Sequence, residues 1–202
     1  SMFKKKESEP EYIKLDNQRN MPAQDAGTSR VNTILKGSKL TGDINVTCDL
    51  DLSGEVEGNI SSEQDSNIVI KGICRGNIKT REGNVDIEGE LIGGDVIAGG
   101  NVKISGKFNG GMVKAKGKIH VNGEFKGRLE GNEIEIGPNA KGSGELIYNE
   151  FISVSRGSQI EAQISQLQKE LKTVKKSPED AKRPDMKVIN IEHHSKDMAE
   201  AK

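Results

Sequence analysis

Tryptophan is absent from the sequence, and aromatic residues of every kind make up only 3% of it. Apolar residues together reach 32%. That is too little large side-chain material for an ordinary globular core, and it fits a narrow interior of small aliphatic columns better. No apolar run approaches the ~20 residues that span a bilayer, and no secretory hydrophobic segment is present. The two cysteines, Cys48 and Cys74, form no CxxC pair, so a reducing, cytosolic setting is expected. The formal charge of -1 provides no overall field toward nucleic acid. No GxxxxGK[ST] loop is present to hold a nucleotide, and no GGxGxDx repeat to hold calcium. No cofactor, metal or catalytic site is expected.

What the chain does have is glycine, 24 residues of it, and the glycines are periodic. Ile68-Val-Ile70-Lys-Gly72 returns as Val85-Asp-Ile87-Glu-Gly89, Val102-Lys-Ile104-Ser-Gly106 and Ile119-His-Val121-Asn-Gly123, a stride of seventeen (72 to 89). A third apolar column is Cys74, Leu91, Phe108, Phe125. Glycines align as Gly72/89/106/123, Gly76/93/110/127 and Gly83/100/117. Apolar residues two apart and bounded by glycine read as short strands. Recurring glycines read as corners, where φ is positive or the backbone passes close to its neighbour. Three corners per stride imply an all-β fold: a single-stranded parallel β-helix, a solenoid of triangular section whose rungs stack at about 4.8 Å.

The domain reading follows. Residues 1–30 form a polar, flexible arm containing Pro10 and Pro22, and Ser1 precedes an expected natural start at Met2. Residues 31–160 form the β-helix. The polar segment Ser61–Asn67 absorbs one extra residue between Gly54 and Gly72 as a bulge or loosened corner. Residues 161–202 form a short helix or a disordered tail; Ile160, Ile164, Leu167, Leu171 and Val174 have helical spacing. Val188–Ile191 is a small apolar island in that tail, read as idle rather than as a docking motif.

Candidates for chemistry are weak. His120 shares its column with Val69, Asp86 and Lys103 and should face solvent. That argues against a hexapeptide-repeat acyltransferase, the alternative reading, which needs a histidine base in a cleft. It also argues against a β-helical carbonic anhydrase, which needs three histidines on zinc. A carbohydrate-binding solenoid would expose aromatics along a groove. Cys48 and Cys74 read as small buried hydrophobes. Lys107 falls between Glu90 and Glu124, a stacking of opposite charges worth roughly 0.2–1 kcal/mol per pair. Lys103, Lys107, Lys114, Lys116, Lys118, Lys126 and Arg128 make one region basic, read as a solvated face.

Two features point to assembly. A β-helix without caps leaves unpaired strand edges and open core at both ends. Here the exposed terminal rungs offer Ile34, Leu35 and Leu40 at one end and Phe151, Ile152 and Val154 at the other, so end-to-end contact into a filament is expected. Met2, Phe3, Lys4, Lys5 and Lys6 place two apolar residues before three cations, which reads on these residues alone either as a solvated N-terminus or as a weak anchor on an anionic leaflet.

The stride, with Gly54-Glu-Val56-Glu-Gly58-Asn59-Ile60 and Gly72-Ile-Cys74-Arg-Gly76-Asn77-Ile78, resembles the bactofilins, a bacterial cytoskeletal family. The start Met2-Phe3-Lys4-Lys5-Lys6 is similar to that family's membrane-targeting sequence. The resemblance covers about Val31 to Ile160. It implies a right-handed coil and nucleotide-free filaments without polarity, joined head to head and tail to tail. It also implies association with the inner face of the cytoplasmic membrane and scaffolding of cell-shape or cell-wall enzymes.

Overall fold

The computed structural model describes residues 30–167. The first turn is β1 (Val31–Ile34), β2 (Lys39–Thr41) and β3 (Ile44–Asn45), and the second is β4 (Asp49–Leu52), β5 (Glu55–Glu57) and β6 (Ile60–Ser62). The third is β7 (Ile68–Ile70), β8 (Ile73–Arg75) and β9 (Ile78–Thr80), and the fourth β10 (Val85–Ile87), β11 (Glu90–Ile92) and β12 (Val96–Ala98). Beyond β13 (Val102–Ile104) the strands run on through corners: β14 (Lys107–Ala115), β15 (Lys118–Val121), β16 (Glu124–Ile136), β17 (Lys141–Val154) and β18 (Gln159–Gln166). Strands pair in parallel with the turns before and after, giving a three-sided β-solenoid with eight rows on its third side, from β3 to β18.

The repeat columns stack as expected. Ile70, Ile87, Ile104 and Val121 are direct register partners, as are Ile68, Val85, Val102 and Ile119. On the second side Val56, Cys74, Leu91, Phe108 and Phe125 align in the same way. All of these side chains are buried. Each fully buried aliphatic side chain contributes roughly 1.5–3 kcal/mol relative to exposure, so the interior columns are the main stabilising element. Phe125 is followed in its column by Gly142, where a Cβ would lie 2.4 Å from the ring. A large side chain in one rung is thus accommodated by none in the next.

The glycine columns have two causes. At Gly89 an added Cβ would lie 2.1 Å from the Gly72 carbonyl oxygen, so the backbone itself fills the space a side chain would need. At Gly37 the cause is conformation, with φ at 88° and open space around the Cβ position, and at Gly58 both causes act, with φ at 149° and the Gly42 carbonyl oxygen 2.1 Å from an added Cβ. One column needs correction. Gly94, not Gly93, stacks on Gly76, because β9 and β12 are offset by eighteen residues (78 to 96). Gly93 is the additional residue and bulges out at φ 74° with nothing near its Cβ position.

The extra residue near Ser61–Asn67 is accommodated at the corner 63–67 between β6 and β7, as expected. A buried hydroxyl group stabilises it: Ser62 Oγ donates to Ser66 Oγ at 2.8 Å, and Thr80 Oγ1 donates to the Ser66 carbonyl at 2.7 Å. After Ile119 the stride contracts to fifteen (119 to 134) and then widens to eighteen (134 to 152). The helix expected from Ile160 is not formed within the described residues. Gln159–Gln166 is β18, and it extends the coil six residues past the expected boundary at 160. Ile160 and Ile164 are four apart because one precedes a corner and the other follows it, a spacing that imitates a helix. Leu171, Val174 and the island Val188–Ile191 lie outside the described residues.

Candidate assembly surfaces

Two side-chain ladders run along the outside of the coil. In the first, the Asp49 carboxylate accepts the Asn67 backbone N–H at 2.8 Å, and the side-chain oxygens of Asn67, Asn84 and Asn101 accept in turn from the N–H groups of Asn84, Asn101 and Lys118 at 2.9, 2.7 and 2.9 Å. In the second, Asp43, Asn59, Asn77 and Asp95 accept from Asn59, Asn77, Asp95 and Met112. The ladders satisfy corner N–H groups that have no strand partner, which is the reason Asn and Asp recur there. The sequence signal was available in the seventeen-residue series 67, 84, 101.

The first ladder ends in apolar residues. Val31 is the register partner of Asp49, and Phe151 continues the series Lys118, Glu133. Both are about half exposed, at 52%. At the first rung Leu35 is 67% exposed and Leu40 39% exposed, while Ile34 is half-buried and rests on the core. At the last rung Val154 is 49% exposed and Ile152 is half-buried. The six residues read from the sequence therefore divide between the two ends of the coil. Sequence reasoning missed Val31 and Ile44 at the first end and Ile160, Ile164 and Leu167 at the last. Within the described residues neither end carries a helix or a polar cap. Met2, Phe3, Lys4, Lys5 and Lys6 lie outside the described residues.

The remaining candidates have ordinary surroundings. His120 lies on the outer surface between Lys103 and Glu135, with Nδ1 3.5 Å from the Glu135 carboxylate. Lys118 binds the other oxygen of the same carboxylate. That contact lowers the Glu135 pKa and raises that of Lys118. Cys74 is fully buried, and burial pushes its thiol up to about 11, so it is a packing residue. Cys48 is half-buried. The basic residues between 103 and 128 occupy all three sides rather than one, and Lys107–Glu124 at 3.7 Å and Arg128–Glu130 at 3.7 Å are paired. Asp86 keeps one carboxylate oxygen buried without a partner. Burial, and then Glu88, raise its pKa. Among the described residues no three His, Cys, Asp or Glu side chains gather as a metal site, and no helix is long and apolar enough to cross a membrane. A concavity of about 520 Å³ beside Gly106 and Gly123 is an open groove along a corner.

Three parallel strand faces, open apolar ends and Asn-laddered corners make up the described coil. Residues 32–110 match the family model Bactofilin, described as polymer-forming cytoskeletal. Over those residues the chain is similar to the bactofilin family. The coil continues past the matched segment, from the middle of β14 to the end of β18. No curated protein and no solved structure matches the chain.

Proposed function

We propose that this chain is a bactofilin that assembles end to end, without nucleotide, into filaments held on the inner face of the cytoplasmic membrane, where they scaffold cell-shape or cell-wall enzymes. The observation that carries the reading is the exposure of apolar side chains on both terminal rungs, Val31, Leu35 and Leu40 at one and Phe151, Val154, Ile164 and Leu167 at the other. Burying each exposed half of such a side chain gives on the order of 1 kcal/mol. The strand edges freed at each end supply hydrogen bonds in addition. A contact of this kind needs no phosphate chemistry. Head-to-head and tail-to-tail joining, and anchoring through Met2–Lys6, belong to the same reading and rest on likeness to the family.

Phe151→Arg tests the end contact. It is expected to leave the strand circular dichroism unchanged and to abolish filaments in negative-stain images taken without nucleotide. Filaments of normal length would remove Phe151 from the interface. Deleting Met2–Lys6 is expected to release filaments from vesicles containing anionic lipid, and unchanged co-sedimentation would refute the anchor.

A further inference from the structure

The last rung is open along one side. β18 pairs with β17 from Lys141 to Tyr148, on the second and third sides, and no strand among the described residues follows Phe151–Val154 on the first. There Ile152 and Val154 continue the inward columns of Ile134 and Ile136, and Phe151 and Val154 are about half exposed. Strands of this coil bond to the next rung in one pattern: the Val85 N–H donates to the Asn101 carbonyl, and the Ile70 carbonyl accepts from the Glu88 N–H. By that pattern the Ile152 N–H and the Val154 carbonyl stand at the open edge. The direct continuation of the chain does not suit it. At the eighteen-residue register of β18 (148 to 166), Glu170 and Lys172 would fall over Ile152 and Val154, two charges at core levels. Beyond Leu167, Ile189 and Ile191 are the one pair of β-branched aliphatic residues two apart. Ile189-Asn-Ile191 repeats the first-side pattern of Ile68-Val-Ile70, Val85-Asp-Ile87 and Ile134-Glu-Ile136.

We propose that Val188–Ile191 adds to this edge as a further parallel strand of the same chain, covering the free end of the coil and competing with tail-to-tail joining. Seated on the register of the rungs below, Val188 lies over Phe151, Ile189 over Ile152, Asn190 over Ser153 and Ile191 over Val154. The two isoleucines then extend the inward columns, and Asn190 takes the outward level. The Val188 carbonyl meets the Ile152 N–H, and the Glu192 N–H meets the Val154 carbonyl. Lys187 falls opposite Glu150, a pair of unlike charge. The connection is long enough. Residues 168–187 join Leu167 to the strand and span up to roughly 70 Å. The turn below needs only Asn149 and Glu150 between Tyr148, the partner of Gln166, and Phe151. A segment tied this closely is present at its own edge at about millimolar concentration. A second subunit arrives only at its bulk concentration. The strand is therefore a cap that assembly must displace, and it sets the concentration at which filaments start. In isolation Val188–Ile191 is idle; the open edge gives it a place.

The effect on assembly rests on the end-to-end reading, whereas the seating of the strand does not, and the experiment separates them. In full-length S153C/N190C the two positions would face each other on paired strands, with Cα atoms about 4.8 Å apart, within the range of a disulfide. The chain is oxidised at low concentration, and its bonds are mapped by mass spectrometry, Cys48 and Cys74 included. The expected result is a 153–190 bond within one chain. Its absence overturns the proposal, as does a bond that forms only between two chains, which assigns the edge to a neighbouring copy. Assembly is followed by negative stain and sedimentation. The oxidised variant is expected to stop at pairs joined through their first rungs, and dithiothreitol to restore filaments. I189D/I191D, changed only outside the coil, is expected to lower the critical concentration about twofold to tenfold, as for an end covered about half to nine-tenths of the time. Filaments unaffected by the 153–190 bond, or a critical concentration unchanged or raised, overturn the cap. If neither wild type nor I189D/I191D forms filaments, the end-to-end reading fails. The 153–190 bond then decides the strand alone: formed within one chain it supports the seating, and otherwise it overturns it.

Discussion

The two causes of glycine in this coil separate in one comparison, Gly89→Ala against Gly93→Ala. At Gly89 the new methyl carbon would lie 2.1 Å from the Gly72 oxygen and 2.5 Å from the Lys71 oxygen, both backbone atoms. An ordinary contact begins near 3.4 Å, so the two rungs must separate by more than an ångström. The hydrogen bonds Gly89 N–H to the Ile70 carbonyl at 2.7 Å and Glu90 N–H to the Gly72 carbonyl at 2.9 Å cannot tolerate that shift. Two lost bonds with their buried partners left unsatisfied cost about 2–5 kcal/mol. The Gly93 position has φ at 74° and open space around it. There an alanine carries only the left-handed penalty of about 1–2 kcal/mol. Guanidinium titration followed by strand circular dichroism, at matched protein concentration, should show the Gly89 variant markedly less stable than the Gly93 variant. Equal losses, or a larger loss at Gly93, would refute close approach as the reason for the column.

Other expectations follow from single side chains. Asn84→Ala removes the acceptor for the Asn101 N–H and should cost about 1 kcal/mol in thermal melts, while Asn84→Asp, which keeps the oxygen as Asp49 and Asp95 do, should recover most of it. The Cys74 thiol is raised in the folded chain from 9.0 to about 11. The unfolded chain therefore loses its proton first, and stability should hold below pH 9 and fall between pH 9 and 11 by on the order of 2 kcal/mol. Cys74→Val should flatten that decline, and an identical slope in the variant would exclude the thiol as its cause. Asp86→Asn should raise the melting temperature at neutral pH by up to about 1 kcal/mol of added stability, because the carboxylate is desolvated and its folded pKa is raised. The gain should vanish in acid, where the native carboxyl is protonated and uncharged.

The interior was legible because each rung repeats the same demand. Ile70, Ile87, Ile104 and Val121 sit at one level of one column, after Leu52, and a buried aliphatic side chain fills that level in each rung. The corners were less legible because several solutions serve there. Asn, Asp, glycine close approach and glycine at positive φ all turn the chain, so Gly93 and Gly94 exchanged roles without altering the apparent spacing. The last rung was hidden for a third reason. Ile160, Ile164 and Leu167 run on into Leu171 and Val174 at helical spacing, and that series conceals the rung Gln159–Gln166. Of the end surfaces, the residues adjoining core columns were readable, Ile152 and Val154 among them. Val31 was not, because its exposure follows from being first in a ladder that is visible only in three dimensions.

In both Asn and Asp ladders every acceptor lies earlier in the chain than its donor, Asp43 before Asn59 and Asn67 before Asn84. A polypeptide leaving the ribosome therefore meets, at each lap, a landing site already complete behind it. The strand bonds are finished a lap later, as when the Ile44 N–H donates to the Asn59 carbonyl, so the ladders hold each corner while its strands close. The molecule can be wound in the order of its synthesis, like thread onto a spool.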